Sequence, residues 1–371
     1  MILLELETRN FRNLSDAKIA FHPAANIFIG DNGQGKTNLL EAIYFLATTK
    51  SFRTSRVAHA ARTGQTTLYA AGRVQDPSGI VRTLSAGMEV GPERRRELLL
   101  NGQKATLGNY IRALQVFAYS AARLEILRGG PDERRRFLDR GIASVRPGYL
   151  SDLSRYGRVL KQRNSLLQQI AEGKKRGKEL EAWDRELVET ALAVVEARRA
   201  YTEDLAERTA RILEEHDYHV RDLRFAYRPA GFEEQVGLEE GIRALSALRK
   251  RELRLGYTLF GPHRDNIEIL RGEDPAAEIL SSGEIKMTVL FLKLAKVELY
   301  RERTGESPLF LLDDVDAELD LSIIERLLSY LIGRIQLFTT SPKGSFFDRF
   351  EMGEHRRFGV RDGGVGREGE S

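Results

Sequence analysis

The sequence predicts an α/β protein with a mixed, mostly parallel core sheet, an antiparallel β-rich flank and a helical lobe. Two observations lead to this prediction. A glycine-rich loop ending in Lys-Thr follows the apolar run 25–29, and apolar residues at helical spacing come after it. Strand-like apolar runs occur on both sides of a long middle region, from about 121 to 219, whose apolar residues recur at helical spacing.

Composition narrows the class of protein. The chain has 371 residues, of which 42% are hydrophobic and 30% charged, and it contains no cysteine. Disulfide frameworks and thiolate metal sites are therefore excluded. No apolar run approaches the roughly 20 residues that cross a bilayer, and residues 1–7 alternate like a strand instead of forming a signal peptide. We expect a cytoplasmic protein without a membrane partner.

The loop between the first buried strand and its helix fits the phosphate-binding pattern. It reads Gly30-Asp31-Asn32-Gly33-Gln34-Gly35-Lys36-Thr37, and Asn38 follows. Gly33 and Gly35 permit the tight path that presents main-chain N–H groups to phosphate oxygens. Lys36 would contact the β- and γ-phosphates of ATP, and the Thr37 hydroxyl would bind Mg²⁺. The alternative is a glycine-rich turn with a chance Lys-Thr pair.

The remaining elements suggest four segments. Residues 66–104 form the β-rich flank, with strand-like pieces at 67–74 and 81–88, and 114–119 reads as another buried strand. Helical patterns at 150–173 and 180–215 predict a hairpin too short for a long coiled coil. We expect one nucleotide-binding domain, the head, built from an N-terminal part at 1–120 and a C-terminal part at 220–360. A helical lobe at 121–219 separates the two parts, and residues 361–371 form a flexible tail.

Charge is unevenly distributed along the lobe. Residues 123–178 hold 15 Lys or Arg and 6 Asp or Glu, a net charge of +9, whereas residues 179–217 hold 5 and 12, a net charge of −7. This pattern fits a basic arm that binds a nucleic-acid backbone, and it fits equally two arms that neutralise each other. The candidate DNA-binding residues at the tip are Lys174, Lys175, Arg176 and Lys178.

An acidic strand end supplies the second half of a nucleotide site. The apolar run 309–312 predicts a buried strand, and Asp313 and Asp314 follow it. Asp313 would hold Mg²⁺ opposite Thr37, and Asp314 would position or polarise the attacking water. The alternative is a buried strand that ends in two exposed acids.

Two further segments complete the pattern. Ser281, Ser282, Gly283 and Glu284 begin a long helix, where main-chain donors and the helix dipole can bind an anion or simply cap the helix. The strand-like run 335–341 ends in hydroxyl groups, and Thr340 among them would flank the γ-phosphate.

In this order, these features resemble an ABC-type P-loop ATPase head. The long helical insertion between loop and acids resembles SMC-like heads more than transporter ATPases. Further stretches are similar to the RecF family of bacterial recombination and gap-repair proteins, and they span nearly the whole chain. These stretches are 10–13, 30–43, 51–54, 130–139, 261–266 and 311–320.

The resemblance implies a mechanism that the residues alone do not show. ATP would bring two heads together as a homodimer, with Ser281 completing the partner's site at the γ-phosphate and with Glu318 and Asp320 in the D-loop. The protein would bind gapped or single-stranded DNA and help RecO and RecR load RecA. Its slow ATPase would act as a timer.

The chain departs from the family pattern at two places. Residues 281–286 replace the usual Ser-Gln-Gly-Gln-Gln-Arg signature, and Ser120-Ala121-Ala122-Arg123 replaces Ser-Pro-Glu-Asp. Thr340 stands where transporter ATPases carry a histidine, as the RecF resemblance implies. Two other functions stay open at this point, a nucleotide-switched assembly subunit without DNA contact and a transporter ATPase.

Overall fold

The computed structural model describes residues 1–91, 95–120, 124–174, 177–232, 237–314 and 321–368, and for Glu125 and Lys178 the main chain alone. In chain order the strands are β1 (Ile2–Arg9), β2 (Ala17–Ala20), β3 (Ala25–Ile29), β4 (Thr67–Gln75), β5 (Val81–Glu89), β6 (Arg96–Leu100), β7 (Gln103–Lys104), β8 (Val116–Ser120), β9 (Leu223–Arg228), β10 (Asn266–Arg271), β11 (Asp274–Pro275), β12 (Leu309–Asp313), β13 (Gln336–Ser341), β14 (His355–Arg361) and β15 (Gly364–Arg367).

The helices, in chain order, are α1 (Lys36–Thr48), α2 (Leu107–Arg112), α3 (Glu125–Arg128), α4 (Pro131–Val145), α5 (Tyr149–Ala171), α6 (Leu180–Glu215), α7 (Leu238–Leu255), α8 (Ala276–Ile279), α9 (Ser282–Thr304) and α10 (Leu321–Leu331). Short 3₁₀ turns cover Val57–Ala60, Gly177–Glu179, Pro262–Arg264 and Gly344–Arg349. Among the described residues, no helix is both long enough and apolar enough to cross a membrane.

The chain divides into two compact units. One joins Met1–Arg123 to Ser282–Ser371, and we call it the head; the other is Leu124–Ser281, which we call the lobe. The head therefore takes both ends of the chain, and the lobe is inserted between them. The predicted fold class, with a mixed sheet, an antiparallel flank and a helical lobe, is confirmed.

Two six-stranded sheets build the head. One is antiparallel, in the order β2-β1-β4-β5-β6-β7, and it contains the predicted β-rich flank. The other has the order β15-β14-β3-β13-β12-β8, in which β15 is antiparallel and the other five strands are parallel. Strands β3, β12 and β13 are buried along nearly their whole length. Their continuous apolar runs are typical of parallel strands covered on both faces.

Helix α1 lies between these two sheets. It contacts β4 and β5 of the antiparallel sheet and β8, β12 and β13 of the mixed sheet. Every position from Leu39 to Ala47 is buried, including the carboxylate of Glu41. A helix without a polar face must lie within a core, so the phosphate loop at its N-terminal end is attached to the most buried part of the head.

The C-terminal residues form a hairpin where a flexible tail was predicted. Strands β14 and β15 pair antiparallel, and β14 also pairs parallel with β3. Asp362 and Gly363 form the turn with φ angles of 47° and 78°, and two successive positive φ angles define a tight hairpin turn. The prediction for 361–368 is therefore wrong, because an Asp-Gly turn signal was taken for disorder; residues 369–371 lie outside the described ranges.

In the lobe, α5 and α6 form the predicted helical hairpin, and α4 and α7 pack against α6. A three-stranded sheet in the order β11-β10-β9 completes the unit. Residues 220–281, which we assigned to the C-terminal half of the head, lie in the lobe. Strand β9 contacts α6 and β10 contacts α4, so both strands belong to the helical unit.

Two networks of buried ionic groups hold the lobe together. The fully buried Arg163 donates hydrogen bonds to Asp184 at 2.8 Å, Thr258 at 2.7 Å and Glu252 at 2.6 Å. Removing one member of such a network would leave a buried charge without its partner, at a cost of about 3–5 kcal/mol. The network around Arg163 therefore has a structural role.

The stretch 261–266, one of those similar to the RecF family, carries the second network. Asp265 is fully buried and accepts hydrogen bonds from Arg198 at 3.0 Å, from the main-chain N–H of Ala230 at 2.8 Å and from the Tyr227 hydroxyl. His263 contacts the Tyr156 hydroxyl, and burial lowers the pKa of His263 below its usual value. These contacts favour a structural role for this stretch.

The basic residues of the hairpin helix α5 are of two kinds, those paired with acids of α6 and those exposed to solvent. Arg163 and Arg155 of α5 form ion pairs with Asp184 and Glu186 of α6, at 2.8 Å and 3.9 Å. Arg158 and Lys161, also on α5, are exposed. Internal pairing therefore accounts for part of the basic charge of α5, and Arg158 and Lys161 face solvent.

Candidate functional site

The predicted phosphate loop joins β3 to α1 in the head. Gly33 and Gly35 have φ angles of 85° and 116°, a conformation that residues with a Cβ rarely adopt. A Cβ on Gly30 would lie 2.2 Å from the main-chain oxygen of Val360 in β14. The path of the main chain therefore requires glycine at all three positions, for two different reasons.

Lys36 lies against the main chain of this loop. Its side chain is almost fully buried, and its ammonium donates hydrogen bonds to the carbonyl oxygens of Gly30 at 2.6 Å and Asp31 at 3.1 Å. These bonds place a positive charge beside the N-terminal end of α1, where the helix dipole also favours an anion. Asp31 and Asn32 of the loop are exposed, so a ligand can reach them from solvent.

Three residues from distant parts of the sequence meet beside the loop. The Thr37 hydroxyl donates to Asp313 Oδ1 at 2.9 Å, and the Thr340 hydroxyl lies 3.0 Å from the same oxygen. Thr37 and Asp313 are 276 residues apart in sequence. They meet because β3, β13 and β12 are adjacent parallel strands, whose carboxyl ends share one edge of the sheet.

This group of oxygens fits a magnesium ion. Burial, followed by the nearby charge of Asp314, raises the pKa of Asp313 from 3.8 to about 6. A divalent cation would compensate the buried carboxylate, and hydroxyl and carboxylate oxygens are ligands that Mg²⁺ takes together with phosphate oxygens and water. Thr37 and Asp313 would hold the ion, which would supply positive charge to the phosphates of a bound nucleotide.

The raised pKa predicts that Asp313→Asn stabilises the metal-free head. Between pH 4 and 6 the folded protein keeps a proton that the unfolded chain releases, so its stability falls as pH rises through this range. Asparagine does not titrate, and it can still accept the bonds from Thr37 and Thr340. Above pH 7 the free energy of unfolding of the variant should exceed that of wild type by up to about 3 kcal/mol, and near pH 3 the two should be equal.

The measurement is denaturant unfolding in EDTA between pH 3 and pH 8. The control is Asp348→Asn, which removes an acid that pairs with Arg357 at the surface of the head. Equal stability of Asp313→Asn and wild type at pH 8 would contradict the raised pKa.

Asp314 has an unusual main-chain conformation. Its φ angle is 46°, in the left-handed region, and its N–H donates to the Thr340 hydroxyl at 2.8 Å. Residues other than glycine that are held in this region are often found at functional sites. Thr340 therefore contacts both acids, which are the two residues predicted to bind Mg²⁺ and to position water.

A network of polar side chains in the head surrounds Glu41 of α1, and sequence reasoning did not assign it. Arg12 donates two hydrogen bonds of 2.9 Å to the buried carboxylate of Glu41 in α1, and the Ser51 hydroxyl donates to the same carboxylate. Arg53 pairs with Glu41 at 3.7 Å and contacts the side-chain oxygen of Asn38. The family-like stretches 10–13 and 51–54 therefore meet on the helix that begins at the loop.

The remaining predicted site residues lie elsewhere. Ser281 directly precedes α9, and Ser282, Gly283 and Glu284 form its first turn; the first three are exposed and Glu284 is half-buried. Lys174 lies in the lobe, is 70% exposed and pairs with Glu172 at 2.7 Å. Predicted residues outside the described ranges are Lys175, Arg176, Glu318 and Asp320, together with 121–123 and the side chain of Lys178.

Comparison with known proteins gives full-length matches. The model of the RecF/RecN/SMC N-terminal domain family matches residues 2–358. A DNA replication and repair protein RecF from Symbiobacterium thermophilum is 37% identical over 379 residues, which cover 98% of each chain. Another protein of that name, from an Anaeromyxobacter species, is 38% identical over 338 residues, which cover 89% of each.

Solved structures agree with these matches. The structure of the recombination mediator protein RecF-ATP in the RecFOR pathway has a TM-score of 0.90 and 30% identity, covering 99% of this chain and 97% of that one. An Smc head bound to the C-winged helix domain of ScpA has a TM-score of 0.53 at 17% identity, covering 98% of this chain and 96% of that one, and supports the fold alone. The chain belongs to the RecF family, within the larger family of RecF, RecN and SMC N-terminal domains.

Proposed function

We propose that this protein is an ATP-switched DNA-binding ATPase of recombinational and gap repair. The observation that carries the proposal is the contact of the Thr37 and Thr340 hydroxyls with Asp313 beside the phosphate loop. Within that loop, the Lys36 ammonium is held against the main chain. This arrangement combines main-chain donors, a fixed cation and a Mg²⁺ site, which nucleoside triphosphate binding requires together. A solved relative with 30% identity is described with ATP, which supports ATP as the nucleotide.

The residues of one head would perform distinct parts of the reaction. Residues 30–38 bind the phosphates, and Lys36 stabilises negative charge on them. Thr37 and Asp313 hold Mg²⁺, Asp314 orients the attacking water, and Thr340 fixes both acids through its hydroxyl. Hydrolysis would be slow, because its role is to reset a switch.

ATP would close two copies of the chain into a homodimer. Ser281, Ser282 and Gly283 are exposed at the N-terminal end of a 23-residue helix, and a serine and main-chain donors there can bind the γ-phosphate of a partner. Glu284, Glu318 and Asp320 would take part in the same interface. The dimer would act at single-strand/double-strand DNA junctions in the cytoplasm, together with RecO, RecR and RecA.

The lobe offers a basic surface for DNA near the hairpin tip. On α7, Lys250, Arg251 and Arg254 are exposed. The C-terminal end of α7 lies close to α5, because a Cβ on Gly256 would lie 3.7 Å from Gln168 Cα. We therefore add these three cations to the tip residues Lys174, Lys175, Arg176 and Lys178 as DNA contacts.

The proposal is tested by measuring molecular mass and binding to gapped, single-stranded and double-stranded DNA in the same samples, with and without Mg·ATP. Wild type should double its mass with Mg·ATP and bind gapped DNA more tightly. Ser281→Arg should stay monomeric while still binding ATP, because its own loop is unchanged. A monomer that ignores both ATP and DNA at low salt contradicts the proposal.

The second candidate, an assembly subunit without DNA contact, is favoured by the ion pairs that neutralise part of the lobe. Salt decides between the two. Binding through phosphates weakens steeply between roughly 50 and 200 mM salt, and Arg254→Glu should reduce the slope by about 1. Arg243→Glu is the matched control, since Arg243 is exposed at the other end of α7 and pairs with Glu240. Equal effects of the two variants would favour the assembly subunit.

A further inference from the structure

The turn of the C-terminal hairpin lies directly against the phosphate loop. The N–H of Gly363 donates to the main-chain oxygen of Gln34 at 2.9 Å. The N–H of Asp362 donates to the side-chain oxygen Oε1 of the same glutamine at 2.6 Å. One loop residue therefore receives two main-chain hydrogen bonds from a segment 328 residues away in sequence.

The same turn also contacts the segment that packs beneath the loop. The carbonyl oxygen of Gly363 accepts a hydrogen bond from the N–H of Ser15 at 2.8 Å, and a Cβ on Gly363 would lie only 1.8 Å from the main-chain oxygen of Asn13. Asn13 in turn donates to the carbonyl of Gly33 at 3.4 Å, and its Oδ1 lies 3.0 Å from where a Cβ of Gly35 would be. The turn, the segment 13–15 and the loop therefore each contact the other two.

We propose that the hairpin turn at Asp362 and Gly363 is a positioning element for nucleotide binding, because it holds Gln34 in the conformation that presents the loop's N–H groups to phosphate. The proposal rests on the ATP binding proposed above. Gln34 lies between two glycines with positive φ angles, and glycine loses more conformational freedom on ordering than other residues. Fixing the residue between them before the ligand arrives removes part of that entropic penalty from binding.

The coupling is reciprocal. If the turn favours the phosphate-binding form of the loop, then a nucleotide bound to the loop must stabilise the turn by the same free energy. The amide hydrogens of Asp362 and Gly363 should then exchange more slowly with Mg·ATP than without it. Both amides donate to Gln34, so this protection would not require contact between the turn and the nucleotide.

The test replaces Gly363 by alanine, which combines a strained positive φ with a methyl group pressed against Asn13. Two glycines of the head provide controls. Gly79, in another hairpin turn, has a φ of 85° and its nearest neighbour at 3.9 Å, so Gly79→Ala adds backbone strain alone. Gly366, in β15, has no neighbour within 4 Å, so Gly366→Ala changes the same hairpin without a clash.

Gly363→Ala should raise the Kd for Mg·ATP about tenfold, which corresponds to about 1.4 kcal/mol. Gly79→Ala and Gly366→Ala should keep the wild-type Kd, even where Gly79→Ala lowers the melting temperature as much. If Gly363→Ala folds and binds ATP like wild type, or if Gly79→Ala weakens ATP binding equally, the positioning role is overturned. If wild type itself binds no ATP, the proposed function fails instead.

A milder variant covers the case in which Gly363→Ala does not fold. Gln34→Ala keeps the main-chain bond from Gly363 and removes only the side-chain bond from Asp362. It should raise the Kd about threefold, and ATP should no longer slow exchange of the Asp362 amide. An unchanged Kd together with unchanged protection in Gln34→Ala would contradict the proposal.

Discussion

Replacing Lys36 by methionine is expected to weaken Mg·ATP binding at least 100-fold. Lys36 Nζ now donates to the carbonyls of Gly30 and Asp31, and a bound nucleotide would share this buried charge. A charge-assisted hydrogen bond contributes about 1.5–3 kcal/mol, so losing the cation and its bonds to phosphate removes about 3 kcal/mol or more. Methionine keeps the apolar stem that packs at the start of α1.

Titration calorimetry with Mg·ATP measures this effect. The matched control is Lys18→Met, because Lys18 lies in the same unit, is 60% exposed and pairs with Glu5. Lys18→Met should bind as wild type does. Equal affinity of Lys36→Met and wild type would mean that the loop does not bind the phosphates.

Asp314→Asn is expected to slow ATP hydrolysis about 100- to 1,000-fold and to leave ATP binding nearly unchanged. Positioned general bases contribute 10²–10⁴ in rate, and an amide cannot accept the proton of the attacking water. Asparagine tolerates the left-handed conformation better than most residues, so the φ of 46° and the N–H bond to Thr340 can be kept. If the dimer opens after hydrolysis, as proposed above, the variant should also remain dimeric on ATP.

Single-turnover hydrolysis and mass measured over time separate these two effects. Asp348→Asn, which removes a surface acid paired with Arg357, should hydrolyse ATP at the normal rate. If Asp314→Asn hydrolyses ATP normally, then Asp314 does not position the water. If it fails to bind ATP, then Asp314 contributes to binding as well as to hydrolysis, and the predicted separation of the two is wrong.

The parts of the site that were predictable are those with local chemical meaning. The glycine loop, the apolar run that became β12 and the hydroxyl-ended β13 can each be read from a few neighbouring residues. Their meeting also follows, because carboxyl ends of adjacent parallel strands share an edge. The order of the strands, with β13 between β3 and β12, is the additional information that places Thr37 beside Asp313.

Other parts depend on long-range partners that local patterns do not specify. Strands β9 and β10 looked like a return to the head, yet β10 packs on α4 within the lobe. The network at Glu41 joins Arg12 and Ser51, which are 29 and 10 residues away in sequence. A usable signal was present, since Glu41 is the one acid in the apolar stretch 39–47, and a carboxylate buried in such a stretch requires a partner.

The insertion of the lobe has a consequence for how the protein is made. Strand β3 must wait for its neighbours β13 and β14, which the ribosome adds about 300 residues later, or roughly 15–60 s at 5–20 residues per second. The lobe is contiguous in sequence, so it can fold while β3 still has two open edges. A nascent chain therefore cannot complete this edge of its nucleotide site until β13 and β14 have been made, and a chain that stops before β13 would lack Thr340 beside Asp313.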